Sequence, residues 1–133
     1  MNPNEVVLSF VEAINAKEPD TLLALMADEH VFIDSDGAEM AGRGRMHRNW
    51  REYFRMVPDY RIHVREILVR DRTVVLLGDA EGTFAKDGKL RPENHWAVPA
   101  AWRAVVEGGR IAVWQVYVNP EPMQRIIDRM GGC

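Results

Sequence analysis

Apolar residues recur at helical spacing in the first part of the chain and at alternate positions in the rest. Over residues 3–16, Val6, Val7, Phe10, Val11 and Ile14 fall three and four apart, the stripe of an amphipathic helix. Pro3 suits its first turn. Asp20 is placed to cap a second short helix whose apolar side is Leu22, Leu23, Leu25 and Met26. Residues 31–33, Val-Phe-Ile, read as a buried strand, and "SDGAEMAGRG" reads as a polar loop. A third helix is expected over 45–57, with Met46, Trp50, Tyr53 and Val57 on one stripe and Arg48, Arg51 and Arg55 on another. Pro58 ends it.

Period two follows. "YRIHVREILV" alternates Tyr60, Ile62 and Val64 with Arg61, His63 and Arg65, and a short turn leads into "TVVLLGDAEGTF". After the loop "KDG", a long strand is expected over 94–107, bent near Pro99, then a turn at "EGG" and a last strand in "RIAVWQVYVN". A helix over 123–130 closes the chain. Helices first and an antiparallel meander afterwards define an α+β fold with helices on one sheet face. Residues 74–77 and 111–118 are apolar on both faces, which calls for cover on the second face, most simply a homodimer partner.

With 133 residues the expectation is one domain, 1–133, with a real hydrophobic core. A formal charge of −3 argues against nucleic acid as a partner, because phosphate neutralisation needs a basic surface. No apolar run reaches the ~20 residues of a membrane span, so no membrane association is expected. The start "MNPNEVVLSF" lacks the basic region and cleavage site of a signal peptide, and the one cysteine, Cys133, suits a reducing, cytoplasmic setting. Nine arginines against four acids between Arg43 and Arg72 form a basic stretch, read as a solvated face with ion pairs such as Arg48 to Glu52.

Candidate chemistry centres on Asp34. It follows an apolar strand directly, where an ionised carboxylate is costly to bury. Two readings stand: a general base at a pocket mouth, or a turn residue bonded to its own backbone ahead of Ser35, Asp36 and Gly37. The aromatic residues Trp50, Tyr53, Tyr60, Trp96, Trp102 and Trp114 are many for a small domain. Either several line a pocket for a flat or apolar ligand, or they fill the core; core filling is favoured for Trp114. Gly78 and Ala80 share one strand face and leave room either for a ligand or for a close helix. Among His30, His47, His63 and His95 no two stand at metal-ligand spacing, so no metal or other cofactor is expected. His95, in "RPENHW", is a candidate pocket-border residue. No GxSxG elbow or P-loop occurs.

The order helix, short helix, "ADEHVFIDSDG", "GRGRMHRNWREYF", "VPDYRI" and a meander ending "GGRIAVWQVY" resembles the NTF2-like superfamily, in its SnoaL-like and ketosteroid isomerase-like branch. The resemblance implies a cone: a curved antiparallel sheet with the N-terminal helices packed on its concave face. It places Asp34 at the isomerase general base, whereas the helix-1 tyrosine falls on Phe10 and the second oxyanion donor near Ala101, neither of which donates. That argues against steroid-type isomerisation. The related epoxide hydrolases use an acid on the last strand, and "IAVWQVYV" has none. SnoaL-type cyclases use one acid or base in an apolar pocket, which fits. The expected function is therefore a pocket for a small, largely apolar or aromatic molecule, ligated by Phe10, Trp50, Tyr53, Tyr60, His95 and Trp102, with Asp34 as base in isomerisation or cyclisation. The alternative is a non-catalytic binding or dimerisation module.

Overall fold

The computed structural model describes residues 1–131, so Cys133 lies outside the described residues. Helix α1, Pro3–Asn15, begins where the Asn2 side chain accepts the Glu5 amide at 3.0 Å. Its apolar stripe, Val6, Val7, Phe10, Val11 and Ile14, is buried against the sheet. At its end Asn15 takes both backbone groups of Ile62, donating to the carbonyl at 3.0 Å and accepting from the amide at 2.8 Å. That amide clamp joins the helix to the first strand of the meander.

Helix α2, Pro19–Leu25, starts two residues earlier than a cap at Asp20 would place it. Proline is preorganised for the first helical position, so Glu18 becomes the cap, with no side-chain cap bond. Asp20 lies within the first turn and instead meets His47 Nε2 at 2.8 Å. Strand β1, Met26–Ile33, is longer than the three-residue apolar run. The segment expected as a loop contains a short strand, β2, Glu39–Ala41, which pairs antiparallel with β1. Helix α3, Arg43–Met56, follows.

The meander consists of β3, Arg61–Arg70, β4, Thr73–Lys86, β5, Lys89–Glu107, and β6, Arg110–Val118. Helix α4, Glu121–Arg129, comes last. The six strands form one curved, unclosed sheet in the order β2-β1-β6-β5-β4-β3. All neighbours are antiparallel except β1 and β6, which run parallel with Phe32 opposite Trp114. β5 begins at Lys89, before the expected Asn94, so "RPENH" is strand and not loop.

Alternation sorts the central strands. Leu76, Gly78, Ala80 and Gly82 of β4 stand opposite Trp102, Ala100, Val98 and Trp96 of β5 on the inner face. Gly78 is glycine because β3 crosses it closely: a Cβ there would lie 1.8 Å from the His63 carbonyl oxygen. Gly82 leaves room for Val57 and the Trp96 ring, which a Cβ would meet at 2.4 and 3.1 Å. Two inner positions of β4 thus settle the packing, while Ala80 between them faces open space. No helix of the described residues is long and apolar enough to cross a membrane.

Candidate functional site

A cavity of about 230 Å³ lies between α3 and the inner face of the sheet. Residues three and four apart on α3 (Met46, Asn49, Trp50 and Tyr53) form its roof. Small residues make its floor: Ala80 of β4 and Ala100 of β5. Larger neighbours on the same inner rows, Trp96, Trp102 and Trp114, rise as walls around that floor. Phe32, Met40, Val116, Val118 and Met123, all half-buried, complete it.

The aromatic rings are in contact around the space. Trp50 meets Tyr53 edge-on at 6.1 Å between centroids, Tyr53 meets Tyr60 edge-on at 5.0 Å, and Tyr60 meets Trp96 at 6.0 Å. Burial pushes the phenols of Tyr53 and Tyr60 above their ordinary value, and at Tyr60 the neighbouring Tyr53 adds to the rise. Both remain protonated at neutral pH and can act as hydrogen-bond donors. The nearby Trp102 indole partly offsets that rise at Tyr60. The indole nitrogens of Trp50 and Trp96 are buried without a hydrogen-bond partner among the described residues.

Of the residues singled out from sequence, the structure brings Trp50, Tyr53, Tyr60 and Trp102 together on this lining. Phe10 lies one layer behind, fully buried, with its ring 4.8 Å from Trp114 and 6.4 Å from Trp50. His95 alternates with Trp96 on β5 and so points to the opposite, outer face of the sheet. There its Nδ1 meets the Thr83 hydroxyl at 2.8 Å, and that hydroxyl donates to Asp59 at 2.7 Å.

Asp34 stands two residues past Phe32, where β1 turns toward β2. Its carboxylate accepts the Asp36 amide at 3.2 Å and faces the Ser35 hydroxyl at 3.5 Å. The Gly37 amide donates to its carbonyl and its own amide donates to Ala38, closing the turn. Asp34 is not among the residues lining the cavity, and none of the described lining residues is Asp, Glu, Lys, Arg or His. Among the described residues no group of three or more His, Cys, Asp or Glu is placed to hold a metal ion.

Several lining residues were not singled out as ligand-binding by sequence. Asn49 was recoverable, since it lies three from Met46 and four from Tyr53 on the roof stripe. So was Trp96, which shares the parity of Trp102 and Ala100 on one strand. Met40 and Met123 reach the cavity only through the docking of β2 and α4, for which no local pattern exists.

The family model for the SnoaL-like domain matches residues 7–114. No curated protein sequence matches the chain. Among solved structures, one provisionally named a SnoaL-like polyketide cyclase, from Shewanella denitrificans, has a TM-score of 0.81 at 14% identity, covering 96% of this chain and 97% of that one. An LEH-like epoxide hydrolase from M. tuberculosis has 0.77 at 18% identity, covering 94% and 88%. A protein with a ketosteroid isomerase-like fold from Catenulispora acidiphila, in complex with trimethylamine, has 0.73 at 21% identity, covering 88% and 86%. At these identities the likeness is one of fold.

Proposed function

Because the chain belongs to the SnoaL-like domain family, we propose that residues 1–133 act as one domain whose cavity binds a small, largely apolar or aromatic molecule. One observation carries this reading: about 230 Å³ of space is bordered by aromatic and aliphatic walls with no ionisable group other than two protonated phenols among the described residues. Ligand pockets commonly measure ~300–1,000 Å³, so a molecule of one or two rings is the right size. Binding, rather than proton transfer, is what such a lining supports best. Filling the floor tests it. Ala80→Leu places a larger side chain in the cavity, and it should abolish binding of naphthalene-sized compounds while the chain stays folded. Undiminished binding to that variant, measured by calorimetry, would sink the reading.

Catalysis with Asp34 as general base in an isomerisation or cyclisation is the second reading. Its support is position: Asp34 follows Phe32, a lining residue, by two, at the end of the same strand. Asp34→Asn separates the readings. Loss of turnover with unchanged ligand affinity favours chemistry; no turnover in the parent chain with any bound ligand favours a binder.

A second copy of the chain is the protein partner this reading includes. Leu68, Leu77 and Tyr117 are 48%, 36% and 52% exposed on the outer face of the sheet, beside half-buried Val75 and Val113. Leu77→Glu should leave a monomer in analytical ultracentrifugation, and a parent chain that is already monomeric would remove the partner. A reducing compartment, the cytoplasm, is the setting that a single cysteine suits.

A further inference from the structure

The sheet ends on one side at β3, whose free edge pairs with no strand among the described residues. The first half of that edge is closed. Asn15 takes the amide and carbonyl of Ile62, and a bulge between Val64 and Glu66 interrupts the run. The second half, Glu66–Arg70, is exposed throughout and contains no proline, lysine or bulge. Within it Ile67, Leu68 and Val69 are 37%, 48% and 50% exposed. An open apolar edge is a template for another strand, and proteins usually blunt it. The opposite edge of the sheet, β2, is only Glu39–Ala41 and offers no comparable template.

Hydrogen-bond alternation fixes which groups this edge presents. The Val106 amide donates to the Arg72 carbonyl at 2.9 Å, so Arg72 faces β5 and its neighbour Thr73 faces β3. Thr73 stands opposite Arg70, and Val75 opposite Leu68, as pairs bonded across β3 and β4. The amides and carbonyls of Ile67 and Val69 therefore point away from β4, as those of Ile62 do. Among the described residues no side chain or loop bonds to them. Side chains alternate with the same period. Ile67 and Val69 lie on the inner face, opposite buried Leu76 and Val74. Glu66, Leu68 and Arg70 lie on the outer face, and among the described residues neither charge has a side-chain partner.

That row is complementary to itself. We propose that the Glu66–Arg70 edge binds the same edge of a second copy, antiparallel about a two-fold axis at Leu68. In that register Ile67 of each copy stands opposite Val69 of the other, and each such pair exchanges both of its hydrogen bonds. Glu66 of each copy meets Arg70 of the other, at positions where opposed side chains come closest. A slide of two residues sets Leu68 against Glu66 or against Arg70, and a slide of one turns the free backbone groups away from each other. Charge and hydrogen bonding thus select one register and one occupant. Because β2 is too short to pair in the same way, the assembly closes at two copies. So short a strand contact buries less than the ~800 Å² per partner of a standard interface, so it fills only in concentrated solution. The edge contact depends on neither the outer-face contact nor the cavity reading. A face contact alone leaves the Ile67 and Val69 amides free.

The test uses the full, isotopically labelled chain from dilute to concentrated solution, with sedimentation for mass and hydrogen–deuterium exchange for single amides. Exchange at Ile67 and Val69 should slow by about tenfold or more as concentration rises, because a paired amide must open before it exchanges. Exchange at Leu68, already bonded to β4, should change little. Glu66→Arg or Arg70→Glu alone opposes like charges at both ends of the contact and should weaken association about tenfold. The two together oppose unlike charges again and should return it to within about twofold of the parent chain. Val69→Pro removes a free amide without touching a bond to β4, and the folded variant should no longer protect Ile67. A doubled mass with unchanged exchange at Ile67 and Val69 overturns the edge contact and leaves the outer-face contact standing. Charge reversals that have no effect singly, or that do not rescue each other, overturn the register and the proposal with it. An uncharged Thr–Val repeat peptide that protects Ile67 and Val69 as strongly as self-association does overturns the second copy in favour of any extended segment. A chain that is monomeric at every concentration overturns both contacts. The charge reversals sit on exposed side chains and decide the matter even if Val69→Pro does not fold.

Discussion

The same sheet is covered in two different ways. Under α1 it is filled: Val6, Val7, Phe10 and Ile14 have no exposed surface, and neither do Val74, Leu76, Ala104 and Ile111 of the strands. Under α3 it is hollow, and Met46, Trp50 and Tyr53 face Ala80 and Ala100 across open space. Hydrophobicity does not distinguish the halves, since both are apolar. The difference is in volume. On the α1 side large aliphatic groups from the helix reach the sheet. On the α3 side the floor is alanine, and the bulk is moved to tryptophans at the perimeter. A well-packed interior is as dense as an organic crystal, so an unfilled region of this size supports the proposal that the cavity binds a ligand.

The largest effect expected from that difference comes from truncating its boundary residue. Phe10→Ala removes a ring that fills the α1 side and backs the cavity wall at Trp114. A loss of about 3–5 kcal/mol in denaturant unfolding is expected. Met46→Ala on the roof, already bordering space, should lie near the ~2 kcal/mol low end for such truncations. If the two losses are equal, the filled and hollow halves are not mechanically distinct.

A smaller but sharper contrast enlarges alanines on one strand. Ala104 has no exposed surface and stands opposite Trp114, whereas Ala100 lines the cavity. Ala104→Leu overpacks a closed site and should cost about 2–3 kcal/mol. Ala100→Leu has space to enter and should change stability by less than about 1 kcal/mol. It should also reduce ligand affinity, which Ala104→Leu affects only through stability. Equal costs at the two alanines would mean that the cavity closes in solution.

Most of the filled half could be read from sequence, because it follows from periodicity. The α1 stripe and the alternation of β3 to β6 each carry their own evidence over many residues. The hollow half was readable where it also rests on a period, as at Trp50, Tyr53 and Trp102. It failed where tertiary contact decides. β2 has three residues and no pattern of its own, so Met40 was read as loop. His95 was chosen as a pocket border from a loop position; β5 extends through it and alternation sends it outward. Asp34 shows a different limit. "DSDG" is compatible with both a cavity base and a turn, and its bond to the Asp36 amide depends on backbone angles that composition does not contain.

The smallest expected effect concerns the edge of the filled half, where His30 is wholly buried beside Phe10. Its Nδ1–H donates to the Ile111 carbonyl at 2.8 Å, and its Nε2 has no partner among the described residues. Burial is the main cause that lowers its pKa below the ordinary 6.5, outweighing the opposing pull of the Ile111 carbonyl. The unfolded chain therefore binds a proton that the folded chain refuses, in the window between the lowered value and 6.5. Above 6.5 both states are neutral and His30 adds no pH dependence. Below it, stability falls with pH until the folded-state value is passed. His30→Gln keeps a donor for Ile111 but cannot titrate. The stability advantage of the parent chain over this variant should shrink as urea unfolding is repeated from pH 7.5 down to pH 5. Parallel curves for the two proteins would show that His30 has an acceptor or a path to water that makes the buried ring as easy to protonate as a free one. A filled half that admits a proton so readily would not differ from the hollow one in access to solvent.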